Sequence, residues 1–179
     1  MSKIGKVPIK ITSATVEVNG KVVLINGPKA KFTHEVAEGI TVKVEDNHIV
    51  LSVDSMSRTN KMNWGMHRAL LANKVKGAEV GFEQKMRIVG LGYKAQLSGR
   101  KIVFSLGYSH KIEYDLPEGV DLGTDKPGQL LTFKSHDKEL LGAVCAKIRG
   151  FRPPEPYKGT GIMKDGEQII RKAGKAKAA

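Results

Sequence analysis

The sequence predicts an α+β fold of two tandem homologous small domains. Each is a mainly antiparallel sheet covered by one helix, and an extended basic C-terminal tail follows. Three observations carry this. Similar segments recur with a period near eighty residues, too long for a solenoid unit and right for a duplicated small domain. Each copy shows short Val- and Ile-rich runs and then a helical stripe. Positive charge is concentrated at the two ends of the chain.

The repeat is visible in Asn19-Gly20-Lys21-Val22-Val23-Leu24 against Ser98-Gly99-Arg100-Lys101-Ile102-Val103, and in Ala37-Glu38-Gly39-Ile40 against Pro117-Glu118-Gly119-Val120. In the first copy, Thr15–Val18, Val22–Ile25, Ile40–Val44 and Ile49–Val53 read as strands separated by Gly, Asn and Asp. Met62, Met66, Ala69 and Leu70 follow at helical spacing, with Gly77 as the expected helix stop. In the second copy, Met86–Val89, Ala95–Leu97, Ile102–Leu106, Lys111–Tyr114 and Leu130–Phe133 are the strand candidates. Asp137 is placed to cap a helix whose stripe is Leu140, Leu141, Val144, Cys145 and Ile148, ending at Gly150. Strands followed by a helix, twice, indicate α+β architecture. The expected division is residues 1–81, 82–151 and a tail from 152 to 179. Pro153, Pro154 and Pro156 forbid a continuing helix and favour an extended path. The Lys/Ala/Gly run beyond Ile170 has no apolar period, so it is expected to be disordered when free.

The 179 residues carry 30 Lys and Arg against 18 Asp and Glu, a net charge of +12. Residues 1–31 hold six Lys and one Glu, and residues 147–179 hold nine basic and three acidic residues. The stretch between is close to neutral, so two basic zones flank a balanced body. Such an excess favours a polyanionic partner, nucleic acid before membrane. No stretch approaches the roughly 18 apolar residues of a spanning helix, and Met1–Lys6 has no apolar run to serve as a signal. A single cysteine, Cys145, offers no disulfide framework. A cytoplasmic protein is expected.

Enzymatic readings fare poorly. Gly90-x-Gly92-x-x-Ala95 resembles a dinucleotide-binding glycine pattern, but that chemistry needs a helix next, whose N-terminus holds the pyrophosphate. Gly99 and another strand pattern follow instead, so a turn between strands is expected. His34, His48, His67, His110 and His136 show no ligand spacing, and no metal site or cofactor is expected. Cys145 lies on an apolar stripe, the place of a buried, inert thiol. The basic C-terminal run is the stronger signal: Lys and Arg meet phosphates, and Tyr meets exposed bases or sugars of folded RNA. Arg152-Pro153-Pro154-Glu155-Pro156 also fits a Pro-x-x-Pro ligand. That match supports a second reading, a free-standing RNA-binding adaptor or enzyme with a proline-motif partner.

Residues Arg152-Pro153-Pro154-Glu155-Pro156-Tyr157-Lys158-Gly159-Thr160-Gly161-Ile162 are close to the signature of a known family. So are Ser2-Lys3-Ile4-Gly5-Lys6-x-Pro8-Ile9, Val89-Gly90-Leu91-Gly92-Tyr93-Lys94-Ala95, Leu106-Gly107-Tyr108-Ser109-His110 and Arg171-Lys172-Ala173-Gly174-Lys175. On these residues the chain resembles, over essentially its whole length, the bacterial large-ribosomal-subunit protein six family. That family usually has Lys at the position of Thr160 and Arg at that of Lys3, so Thr160 is not expected to contact phosphate by charge. The resemblance implies a non-enzymatic structural protein that binds large-subunit (23S) rRNA mainly through its second domain and tail. It implies a place near the stalk base, where translational GTPases dock, close to the sarcin–ricin loop and beside other large-subunit proteins. It implies no membrane and no small-molecule substrate. Within the matching segments, the expected RNA-binding residues are Lys94, Tyr108, Ser109, His110 and Lys111, with Arg152, Tyr157, Lys158, Lys164, Arg171, Lys172 and Lys175.

Overall fold

The computed structural model describes residues 3–55 and 57–174, which divide into two compact units. The first runs to Gly81 and takes in His136–Lys138; the second comprises Phe82–Ser135 and the chain from Glu139 onward. The first unit contains β1 (Ile9–Lys10), β2 (Thr15–Asn19), β3 (Val22–Asn26), β4 (Lys31–Glu35), β5 (Ile40–Glu45) and β6 (His48–Val53), then α1 (Arg58–Glu79). The succession then recurs as β7 (Phe82–Val89), β8 (Lys94–Ser98), β9 (Lys101–Ser105), β10 (Ile112–Asp115), β11 (Val120–Thr124) and β12 (Leu130–Ser135), then α2 (Lys138–Phe151). A further strand, β13 (Gly161–Lys164), follows α2.

Among the described residues every strand pair is antiparallel, and each unit's strands divide between two sheets rather than forming one. The first unit has the orders β2-β3-β4 and β1-β6-β5; the second has β10-β9-β8 and β11-β12-β7-β13. The plans match strand for strand, except that β13 occupies the edge of β7 whose counterpart, β1, carries no such neighbour. In the first unit the link between the two sheets is held by Glu79. One of its carboxylate oxygens accepts the backbone N–H groups of Thr12, Ser13 and Ala14 at 2.6, 2.8 and 3.2 Å. Donors that have left the sheet ladder are thereby satisfied, as buried or partly buried backbone requires.

Both cores are largely aliphatic. The first gathers Val23, Ile25, Ile49, Leu51, Leu71 and Val75; the second gathers Met86, Ile102, Phe104, Leu131, Phe133 and Ile148. Alternation along β3 and β9 sends every second residue inward, as a half-buried strand requires. Helix α2 buries Leu141, Val144, Cys145 and Ile148, and Leu140 packs at the margin, as the stripe predicts.

Helix α1 is present, but its buried face is a different one. Trp64, His67, Leu71, Val75 and Ala78 point inward, while Met62 and Met66 are exposed. The difference lies in Trp64, which buries a large ring and donates its indole N–H to Leu51 O at 3.0 Å. Both faces satisfy a 3.6-residue period, and periodicity does not rank them. Gly77 lies inside α1, which ends at Glu79; the N–H groups of Val80 and Gly81 both donate to Lys76 O, and Gly81, with a left-handed φ of 87°, turns the chain out of the helix. Gly150 likewise lies within α2, which extends to Phe151.

The segment after Phe151 also departs from expectation. It folds back: Ile162 N–H donates to Arg152 O at 2.8 Å, Glu155 N–H to Thr160 O at 3.0 Å and Gly159 N–H to Glu155 O at 3.0 Å. These bonds make a tight turn of the proline run, and Gly161–Lys164 then pairs with Val89 back to Met86. Ile162 is fully buried in the core. Proline removes helix but does not choose between an extended path and a turn; the buried isoleucine decides for the turn.

Candidate nucleic-acid interface

Three loops of the second unit converge where β7, β9 and α2 end. The β7–β8 turn (90–93), the β9–β10 turn (106–111) and Arg152, just past α2, meet around two tyrosines. Tyr93 lies against the backbone of Gly90 and Gly107, where an added Cβ would come within 2.4 and 2.8 Å of its ring. Tyr108 donates its hydroxyl to Phe151 O at 3.1 Å. Its ring stacks on His110, with centroids 5.8 Å apart and planes inclined by 19°. The Arg152 guanidinium lies over both tyrosines, 4.7 Å from the Tyr108 centroid and 5.7 Å from that of Tyr93. Ser109, His110 and Lys111 are exposed beside it. Lys94, which opens β8, lines a shallow groove with Lys111, Gln96 and Lys126.

The remaining expected residues lie on the folded segment that follows. Tyr157 and Lys158 are exposed on the turn, where Lys158 N–H donates to Glu155 Oε1 at 2.9 Å. Arg171 lays its guanidinium over Gly159, and Lys172 N–H donates to Pro156 O at 2.9 Å, closing the segment on itself. Lys164 ends β13, its N–H bonded to Glu167 Oε2 at 3.0 Å. Thr160 contributes its carbonyl to the turn. Lys175 lies outside the described residues.

The pairing of charges separates two classes of cation. Arg87 binds Asp165 at 2.9 Å, Lys101 binds Glu113 at 3.0 Å, Lys134 sits 3.5 Å from Glu83, and Arg149 grips Glu167 through two bonds, at 2.6 and 3.2 Å. Among the described residues, Lys94, Lys111, Arg152, Lys158, Lys164, Arg171 and Lys172 make no salt bridge within 4.0 Å. A surface of unpaired cations held on ordered backbone is suited to bind phosphates at fixed spacing.

Cys145 is buried, and burial pushes its thiol up to about 11, far from a reactive thiolate. Gly90-x-Gly92 is a turn leading into β8, as expected, and no helix N-terminus stands behind it. No group of three His, Cys, Asp or Glu among the described residues is arranged to hold a metal ion. Leu91, exposed on the β7–β8 turn, and Tyr93, under Arg152, were not singled out from the sequence. Their signal was present in the glycine turn, since flanking glycines allow both an exposed tip and a tightly packed ring.

The model of the family described as "Ribosomal protein L6" matches this chain twice, over residues 12–81 and 89–165. The chain belongs to the ribosomal protein L6 family. The double match falls on the two structural copies. Large ribosomal subunit protein uL6 of Synechococcus sp. (strain RCC307) is 46% identical over 176 residues, 98% of each chain. The protein of that name from a Nitratiruptor species is 45% identical over 98% of each chain. That from Xanthobacter autotrophicus is 43% identical over 99% of this chain and 100% of its own. Membership of the L6 family makes this a structural ribosomal protein and not an enzyme.

Proposed function

We propose that the chain is a structural protein of the cytoplasmic large ribosomal subunit that binds 23S rRNA mainly through its second unit and the segment from Arg152 onward. It sits near the stalk base, in the region where translational GTPases dock, beside neighbouring large-subunit proteins. In this reading residues 1–81 and 82–151 are the duplicated frame, and 152–179 supplies much of the RNA contact. The carrying observation is the set of unpaired cations on ordered backbone: the protein's own acids neutralise Arg87, Lys101, Lys134 and Arg149 but leave Lys94, Lys111, Arg152, Lys158, Arg171 and Lys172 for another polyanion. Family membership supports rRNA as that polyanion. The relatives are named as large-subunit proteins, and the rRNA is the polyanion of that particle.

The test is a footprint of the full chain on 23S rRNA, with affinity measured at several salt concentrations. Protected positions should cluster at the stalk base and sarcin–ricin region. Binding to 23S rRNA that is no tighter than to an unrelated RNA of equal length would refute the proposal. The adaptor reading gains nothing from the structure, because the proline run is folded into a turn instead of being presented as a free extended ligand.

A further inference from the structure

We propose that the cluster of Leu91, Tyr93, Tyr108, His110 and Arg152 is a stacking platform that receives one unpaired nucleobase of the bound RNA. The inference rests on the rRNA-binding reading and specifies what part of the RNA this site takes.

A duplex backbone is met by cations and hydrogen-bond donors and calls for no exposed aromatic face. The platform is built differently. Leu91 is fully exposed at the tip of its turn, although a side chain of that size is normally withdrawn from water. Tyr108 keeps 42% of its surface exposed, although its hydroxyl is already bonded to Phe151 O. What remains open to a partner is therefore ring surface that Arg152 and His110 leave uncovered, rather than the polar tip. His110, itself exposed, stacks nearly parallel on that ring and continues the aromatic surface. Arg152, its guanidinium held over the two tyrosines, brings a positive charge to the same spot. A ligand that uses all of these must have a flat π face, some apolar surface and a negative charge within a few ångströms. An unpaired nucleotide has all three, whereas bases stacked within an A-form duplex do not present a free face. An acidic peptide would satisfy Arg152 but leave the parallel rings and Leu91 unused.

The arrangement is also prepared in advance. Tyr93 fills the space between the two glycine turns, and there is no room at Gly90 or Gly107 for a side chain that would displace it. Arg152 follows directly on α2, so its position is set by the helix end. Little conformational freedom is left to lose on binding.

The experiment uses the full-length protein, 23S rRNA, and the variants Tyr108→Leu and Tyr108→Phe. Leucine keeps apolar bulk without a ring; phenylalanine keeps the ring without the hydroxyl. Tyr108→Leu is expected to weaken binding by about 5- to 150-fold, the range for loss of one stacked base. The salt slope should not change, since no charge is removed. Tyr108→Phe should bind within about twofold of the parent, an estimate for a variant that retains stacking. Base-specific chemical probing should show one unpaired nucleotide that the parent and Tyr108→Phe protect and Tyr108→Leu leaves reactive. Parent-like affinity of a folded Tyr108→Leu, or equal losses in both variants, overturns the platform while leaving rRNA binding in place. Failure of the parent itself to bind 23S rRNA overturns both.

Discussion

His34 and His67 are buried side by side in the first unit, with His34 Nε2 and His67 Nδ1 2.9 Å apart. Ala37 N–H donates to His67 Nε2 at 3.2 Å, so that nitrogen carries no proton. The proton of neutral His67 is therefore on Nδ1 and is donated to His34. Burial lowers the pKa of His34 to about 4, and the positive Lys74 and then His67 push it the same way; burial also lowers that of His67. The unfolded chain titrates these rings near 6.5, so between about 6.5 and 4 it binds more protons than the folded protein does. Stability should therefore fall as pH drops through that window. The urea midpoint is expected to decrease from pH 7 to pH 5, and His34→Gln should remove much of that decrease. The carboxylates held low by hydrogen bonds, Glu38, Glu79 and Glu167, lose their contribution only as pH falls below their ordinary value of 4.5, outside the pH 7 to 5 comparison. A midpoint that is flat from pH 7 to 5 in the parent would contradict the buried neutral pair.

Among the elements, β13 most alters how the C-terminal segment is understood. It buries Ile162 completely, a contribution of about 1.5–3 kcal/mol for a side chain of this kind. Its first residue, Gly161, holds φ at 143°, and a Cβ there would lie 2.7 Å from both Pro153 O and Pro154 Cα. Those are backbone atoms and cannot swing aside. Gly161→Ala should therefore cost at least about 1–3 kcal/mol through backbone strain, with overlap adding to it. Hydrogen exchange should show faster exchange at the β7–β13 pairing while the β2-β3-β4 sheet remains protected. This position also affects how RNA binding is dissected. Deleting residues 152–179 removes a core strand as well as cations, so single neutralisations are the cleaner experiment. Helix α1 carries a related lesson: with Trp64 inward, Met62 and Met66 are surface residues, and Met66→Gln should shift stability by less than about 0.5 kcal/mol, as for an ordinary surface change.

For the whole molecule, the decisive quantity is which charges remain after internal pairing. Lys158→Ala and Lys172→Ala should each lower the log–log salt slope of 23S rRNA binding by roughly 0.7–0.9 if the phosphate contact is made. Arg149→Ala should leave the slope unchanged and lower the melting temperature instead, because Arg149 is already neutralised by Glu167. A slope that fell equally for all three would mean that net charge, not the paired and unpaired pattern, governs binding.

The duplication, the α+β class and the placement of most strands follow from the sequence alone, because alternation and turn glycines are local signals that tertiary contacts rarely reverse. The basic ends were equally legible, since charge is additive along a chain. Three things were decided only in three dimensions. Trp64 chose the buried face of α1, because a large ring with one bonded N–H outweighs a methionine stripe of the same period. Ile162 turned the C-terminal segment back into the sheet, because a pairing between residues more than seventy apart leaves no local trace. The predicted RNA-binding residues were then sorted by their surroundings. Lys94, Lys158 and Lys172 were left without an internal acid, Arg152 was fixed over two rings, and Arg149, which was not among those predicted, was paired with Glu167. Whether a cation meets an internal acid or an external phosphate depends on distances that only the folded chain sets.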